Sequence, residues 1–214
     1  MSVKKTFSLL IGVTALFAVV AQFYLMFDIT TVSTAETTIR FFSYFTILTN
    51  SLVATCFLWM FFRLNRLDSE RTLHIPSYYT AITVYILVVG LIYQIILRPL
   101  WKPEGFSKIV DELLHTVVPL CTFIFWMLYG RTKTIPYSSI PTWLLYPVIY
   151  LIYIIIRGYY SDFYPYPFID VTALGHAKVA INALLVAALF SGLMVLLIFI
   201  NNSTVKDADN NTQR

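Results

Sequence analysis

The sequence predicts an all-α fold: a polytopic bundle of six transmembrane helices with almost no soluble part. Two observations carry that reading. Of 214 residues, 58% are apolar and 12% charged, against roughly half and a quarter in ordinary soluble domains. The apolar residues also gather into six runs, at 7–27, 41–62, 78–97, 109–129, 142–156 and 178–200. Most of these reach the about 20 helical residues that cross a hydrocarbon core. The connections between them are too short to hold a further domain.

The first run follows Lys4 and Lys5 and passes Val19-Val20-Ala21, a pattern shared with cleaved signal peptides. Its apolar character continues to Phe27, longer than a signal core, so a retained helix is expected. The second, third and fourth runs are long enough to span. The fifth is short before Arg157 and contains Pro147, which predicts a kinked span. The sixth ends at Asn201, where an Asn-rich polar stretch begins. The expected organisation is therefore a membrane domain over 1–200 and a disordered polar cytoplasmic tail over 201–214. Glycosylation-type triplets in that tail read as chance matches. Cys56 and Cys121 both lie inside apolar runs and read as buried apolar side chains, not a disulfide.

Charge sets the expected orientation. With the N-terminus inside, Lys4, Lys5, Arg63, Arg66, Arg71 and Arg131 fall on the cytoplasmic side, together with Lys133, Lys206 and Arg214. Most acids, including Glu36, Glu104, Asp162 and Asp170, fall outside. This bias predicts both termini in the cytoplasm, in the cell or inner membrane if the source is bacterial. The net charge of +4 follows from the same loops and does not point to nucleic acid. No phosphate loop, dinucleotide fingerprint, metal spacing or serine elbow occurs, so no cofactor and no metal are expected. The expected partners are the bilayer and a membrane lipid or fatty-acyl substrate. Oligomeric state is left open.

Polar groups inside spans carry the functional information, because lipid penalises them. Ser43, Thr46, Thr49 and Asn50 recur at helical spacing and form one stripe down the second span. Ser43 and Thr49 read as packing residues bonded to backbone carbonyls. The Asn50 amide needs a partner across the bundle. In the fourth span Asp111 lies four residues and Glu112 three residues before His115, so either carboxylate could orient the imidazole. The competing reading is an interfacial histidine with solvated acids. Counted from Arg40 and Asp111, Thr46 lies about 9 Å and His115 about 6 Å into their spans, at 1.5 Å per residue. If the two helices adjoin, His115 takes the Thr46 hydroxyl proton and Thr46 attacks an ester carbonyl.

The last outer loop alternates Tyr and Pro through Tyr164-Pro165-Tyr166-Pro167-Phe168 and cannot be helical. It reads either as an ordered cap over the helix ends or as an interfacial aromatic belt. Arg157, Asp162, Asp170 and His176 are expected to pin it through ion pairs. Arg157 is also a candidate for holding a fatty-acid carboxylate. Tyr166 and Asn182 complete the candidate binding groups, with Asn50.

At these residues the chain resembles the androgen-induced and androgen-dependent membrane hydrolases. The likeness lies in Phe45-Thr46-Ile47, in Leu114-His115-Thr116-Val117-Val118-Pro119 and in Tyr166-Pro167-Phe168, within six spans. It is closer still to the bacterial branch of six-pass integral membrane proteins, through Phe41-Phe42-Ser43-Tyr44-Phe45-Thr46 and the stretch from Tyr164 to Asp170. The resemblance implies cleavage of fatty acid esters of hydroxy fatty acids, with Thr46 and His115 as the catalytic pair. Thr49-Asn50 and the Tyr-Pro repeat depart from the animal enzymes. The leading expectation is thus a threonine-dependent carboxylic ester hydrolase. The alternative is a transporter or binding protein for a small amphiphile. Against a through-pore stands the apolar inner half of the spans, where few polar residues besides Thr55 and Thr122 occur. A haem or quinone site at His115 and His176 is the third reading.

Overall fold

The computed structural model describes residues 2–66, 77–131 and 133–212, and every regular element among them is helical. Six helices are long and apolar enough to cross a membrane: Val3–Asp28, Phe45–Leu64, Tyr78–Leu97, Gly105–Gly130, Tyr137–Ser161 and Val171–Val205. The protein is a multi-pass helical membrane bundle. Arg71 and Arg214, which enter the charge bias, lie outside the described residues.

The first span is α1 (Val3–Asp28), started by Ser2, whose Oγ accepts from the Lys5 N–H at 3.4 Å. Its buried face is made of small residues, with Ser8, Gly12, Ala15 and Ala18 all turned inward. This seam lets α1 lie close along α3 (Phe45–Arg66), and at Gly12 even a Cβ would fall 2.8 Å from the Leu58 side chain. Small-residue seams of this kind replace the hydrophobic driving force that lipid removes.

The second span begins later than its apolar run. A separate amphipathic helix, α2 (Thr34–Phe41), precedes it, capped by Ser33, and the chain turns through Phe42–Tyr44 before α3 starts. The turn is held by Ser43, whose N–H donates to the Arg40 carbonyl at 3.0 Å and whose hydroxyl donates to Ile39 at 2.7 Å. Thr46 therefore sits in the first turn of α3, so the expected depth of about 9 Å counted from Arg40 does not hold.

The third span is α4 (Tyr78–Ile92) continued by a π-helical turn, Tyr93–Leu97. The fourth is α5 (Gly105–Glu112), a π turn over Leu113–Val117, α6 (Val118–Phe125) and a second π turn over Trp126–Gly130. Pro119 explains part of this irregularity. It has no N–H to donate to the carbonyl four residues back, that of His115, so the regular ladder is broken there. Gly90 packs into the gap, where an added Cβ would stand 3.2 Å from both the His115 oxygen and the Pro119 ring.

The fifth span, α7 (Ile140–Ser161), is longer than expected and carries Arg157 inside it. Pro147 frees the Trp143 carbonyl in the same way, and the Tyr85 hydroxyl donates to that carbonyl at 2.6 Å. The kink-forming proline is thus satisfied from a neighbouring helix, as intramembrane backbone must be. After a left-handed Asp162 (φ 52°), the Tyr-Pro loop crosses the helix ends and makes one short 3₁₀ turn, Pro167–Ile169. Tyr164 lies flat against Gly158, where a Cβ would come within 2.1 Å of its ring, so only glycine admits this docking.

The last helix, α8 (Val171–Thr212), bends at Gly175 (φ 75°) and does not stop at Asn201. The expected disordered tail is corrected in its first part. The Asn201 amide donates to the Lys133 carbonyl at 2.8 Å, and Asn202 exchanges two hydrogen bonds with the backbone of Ile135. Gln213 and Arg214 lie outside the described residues. Cys56 and Cys121 are unpaired.

Candidate functional site

The polar stripe of α3 is buried, with Ser43, Thr49 and Asn50 at 0% exposure and Thr46 at 7%. Its members face different neighbours. Ser43 and Thr49 meet tyrosines of α7, at 3.3 Å from Tyr153 and 3.1 Å from Tyr146. Thr46 and Asn50 face the fourth span and the Tyr-Pro loop.

Asn50 joins the two elements that carry the candidate pair. Its amide donates to the Thr46 carbonyl at 2.9 Å and to the Leu114 carbonyl, adjacent to His115, at 3.3 Å. A buried amide finds such partners or costs stability. Asn50 lines neither of the two cavities that Thr46 borders, so the expected substrate contact is corrected there: its amide is a brace between α3 and the fourth span.

His115 is fixed from two sides. Its Nδ1 lies 3.0 Å from the Asp111 carbonyl and 3.1 Å from Asp111 Oδ1. Both partners are acceptors, so Nδ1 is assigned a proton, and in that tautomer the ring lone pair falls to Nε2. The Tyr93 ring stacks on the imidazole, with centroids 4.0 Å apart and planes 11° from parallel. The Tyr93 hydroxyl donates to Asp111 Oδ2 in a short hydrogen bond. Asp111 thus contacts the imidazole. Glu112 does not. Its carboxylate pairs with Arg98 and accepts from Thr116 Oγ1 at 2.7 Å. Gln94 closes this ring, donating to Thr116 Oγ1 at 2.8 Å and accepting from Arg98 at 2.6 Å.

Thr46 and His115 line one cavity of about 430 Å³, with Asp111 and Tyr93 in its wall and Pro165, Tyr166 and Pro167 across it. That is a volume in the range of small-molecule sites. Met26, Leu97 and Trp101 add apolar surface, and Gln22 and Ser107 add polar groups. The loop is therefore a cap. The Tyr166 hydroxyl lies 3.3 Å from Thr46 Oγ1 and accepts from the Thr46 N–H at 3.2 Å. Burial pushes the Tyr166 phenol up to about 12, so it keeps its proton at neutral pH.

Arg157 and Asn182 are not at this cavity. The Arg157 guanidinium donates to Glu36 Oε1 at 2.8 Å and lies 4.8 Å from the Phe163 ring centre, with Arg40 on the same ring at 4.5 Å. A guanidinium engaged in this way does not hold a fatty-acid carboxylate, and that expectation is corrected. The cap is pinned by Glu36, not by the nearer acids: Asp170 instead accepts from the Ala173 N–H at 3.0 Å to start α8. Arg40 lowers the Glu36 carboxyl below the ordinary glutamate value, and Arg157 adds to the effect. The Asn182 amide donates to the Phe168 carbonyl at 2.8 Å and fastens the inner end of the cap. His176 is exposed and lies outside the cavity. Among the described residues no three His, Cys, Asp or Glu side chains gather as a metal site.

Tyr93, Gln94 and Gly90 escaped the sequence reading. One signal for the first two was present: an adjacent Tyr-Gln pair close before Arg98 in an otherwise apolar span. Gly90 has no sequence signal, because its role is to yield space to a helix far away in the chain. No family model matches the chain, and neither a curated protein nor a solved structure matches it.

Proposed function

We propose that the protein is an integral membrane lipid-ester hydrolase with Thr46 as nucleophile and His115 as general base. The observation that carries this reading is one cavity lined by both side chains, with His115 Nδ1 held by Asp111. That arrangement has the logic of an acid–histidine–hydroxyl triad.

In the proposed reaction, His115 Nε2 takes the Thr46 proton as Oγ1 attacks the ester carbonyl. Asp111 holds the imidazole in its Nδ1–H form and stabilises the imidazolium. The Tyr166 phenol, 3.3 Å from the attacking oxygen, turns its proton to the developing oxyanion. Collapse breaks the carbon–oxygen bond of the leaving alcohol, which takes the proton from His115. Water, activated by the same imidazole, then releases the acid from Thr46. The resemblance to the androgen-induced and androgen-dependent hydrolases names the same pair. It favours a fatty acid ester or a related acyl lipid as substrate. With both termini cytoplasmic, the cavity faces the outer leaflet of the cell or inner membrane.

Purified protein assayed on chromogenic acyl esters tests the reading. Thr46→Ala and His115→Ala are each expected to lower turnover by about 10²-fold or more, and a fluorophosphonate probe is expected to label Thr46. Turnover equal to the parent in both variants would overturn the mechanism. Lipid binding without Thr46-dependent turnover would favour the alternative, a non-hydrolytic amphiphile binder.

A further inference from the structure

A second cavity lies on the other side of Thr46. It measures about 110 Å³, and its walls are almost wholly apolar: Val88 and Val89 of α4, Pro147 and Leu151 of α7, Ala183 and Ala187 of α8. Thr46, Leu97 and Tyr166 belong to the linings of both cavities. Thr46 therefore stands on the seam between a chamber with His115 and Asp111 and a chamber with no ionisable side chain except Tyr150 and Tyr166.

We infer that the apolar chamber takes the acyl chain of the ester, while the alcohol portion occupies the cavity of His115. This assignment rests on the hydrolase reading and follows from the path of the proton. His115 takes the Thr46 proton and must return it to the oxygen of the leaving alcohol, so that oxygen lies on the His115 side. The acyl carbon bonded to Thr46 Oγ1 then extends to the opposite side, where the apolar chamber begins. Bond making and breaking need no further reactant, because water supplies the second step.

Two small residues set the room available. Ala183 and Ala187 are four apart on α8 and present one face to the chamber, with Phe190 a turn further in. From Ala183 to Phe190 the helix rises about 10 Å, which is the length over which a chain can lie against it. A larger side chain at either alanine fills part of the chamber from the α8 side, and neither alanine lines the cavity of His115.

The acyl series from acetate to palmitate, as p-nitrophenyl esters, reads the effect. Ala187→Phe and Ala183→Leu are each expected to lower the palmitate-to-acetate turnover ratio by about tenfold or more, since each methylene in an apolar pocket counts. Ala188→Phe, on the exposed face of α8, is expected to leave the ratio as in the parent. Unchanged ratios in both chamber variants would overturn the assignment. A palmitic acid carrying a terminal diazirine gives a readout that does not need turnover. Crosslinks on the chamber face of α7 and α8, lost in Ala187→Phe, support the assignment. Crosslinks confined to Leu100 and Trp101, or to the exposed Leu184 and Leu185, overturn it. A parent protein that turns over no ester yet crosslinks inside the chamber removes the hydrolase reading alone.

Discussion

At the scale of single residues, the candidate pair depends on the groups that hold it in place. His115 keeps one orientation because Asp111 receives its Nδ1–H and Tyr93 covers its face. Tyr93 in turn holds the carboxylate through its hydroxyl. For metal-bound histidines, groups that orient the ring typically matter by about 10- to 100-fold, and the hydrolase reading gives Asp111 and Tyr93 a comparable part. Tyr93→Phe keeps the ring stack and deletes only the hydrogen bond. It is expected to lower turnover by about tenfold while leaving the unfolding temperature near that of the parent. A parent-like rate would mean that the ring stack and the backbone bond to Asp111 suffice. Asn50 acts one step further away, by tying the Thr46 and Leu114 carbonyls together. In its absence both carbonyls lose this donor, a cost of about 0.5–1.5 kcal/mol for each hydrogen bond.

At the scale of elements, prolines and the glycine opposite one of them shape the site. A regular helix through 113–119 would need an N–H at Pro119. The π turn at Leu113–Val117 is the local answer, and it carries His115. Such turns are frequent where function needs a side chain re-aimed. Gly90 allows α4 to close on the exposed His115 carbonyl. Gly90→Ala would press a methyl to 3.2 Å from that oxygen and from the Pro119 ring, neither of which can swing aside. The expected loss is about 1–3 kcal/mol, as for other overpacked contacts, read as a lower unfolding temperature in detergent. A variant as stable as the parent would show that α4 can slide. The Tyr-Pro loop is likewise an element with defined anchors, through Tyr164 on Gly158, Tyr166 on Thr46 and Asn182 on Phe168.

At the scale of the molecule, the same loop depends on a charge lock between distant parts of the chain. Glu36 of α2 accepts from Arg40 and from Arg157 of α7, and both guanidinium groups lie on the Phe163 ring. The Glu36 carboxyl is held below its ordinary value, mainly by Arg40. Its contribution to stability is therefore complete above the unfolded glutamate pKa of about 4.3 and is lost as pH falls through the lower folded value. Glu36→Gln is expected to unfold at a lower temperature than the parent at pH 7. The difference should begin to shrink as pH falls below about 4.3 and close only once pH has passed through the lower folded value, where the parent carboxyl is also protonated. A constant difference across that range would mean the lock does not act through charge. Screening keeps the effect modest, since Glu36 is 29% exposed.

The spans were legible in the sequence because the bilayer demands about 20 apolar residues of each, whatever the neighbours are. Asp111 beside His115 was legible too, since both lie within one turn of one helix. Their partners were not. That Glu112 turns to Arg98, that Arg157 meets Glu36, and that Asn50 bonds to Leu114 are contacts between helices far apart in the chain. Local spacing carries no information about which helix faces which. The break before Phe45 was hidden because Phe41, Phe42 and Tyr44 are themselves apolar or aromatic and join the run of α3. Composition and periodicity therefore determined a six-helix membrane protein with polar groups in its spans. Only tertiary packing decided that Thr46 and His115 share a cavity under Tyr166, because side chains meet through helix order and close approach, at Gly12 and Gly90 among others.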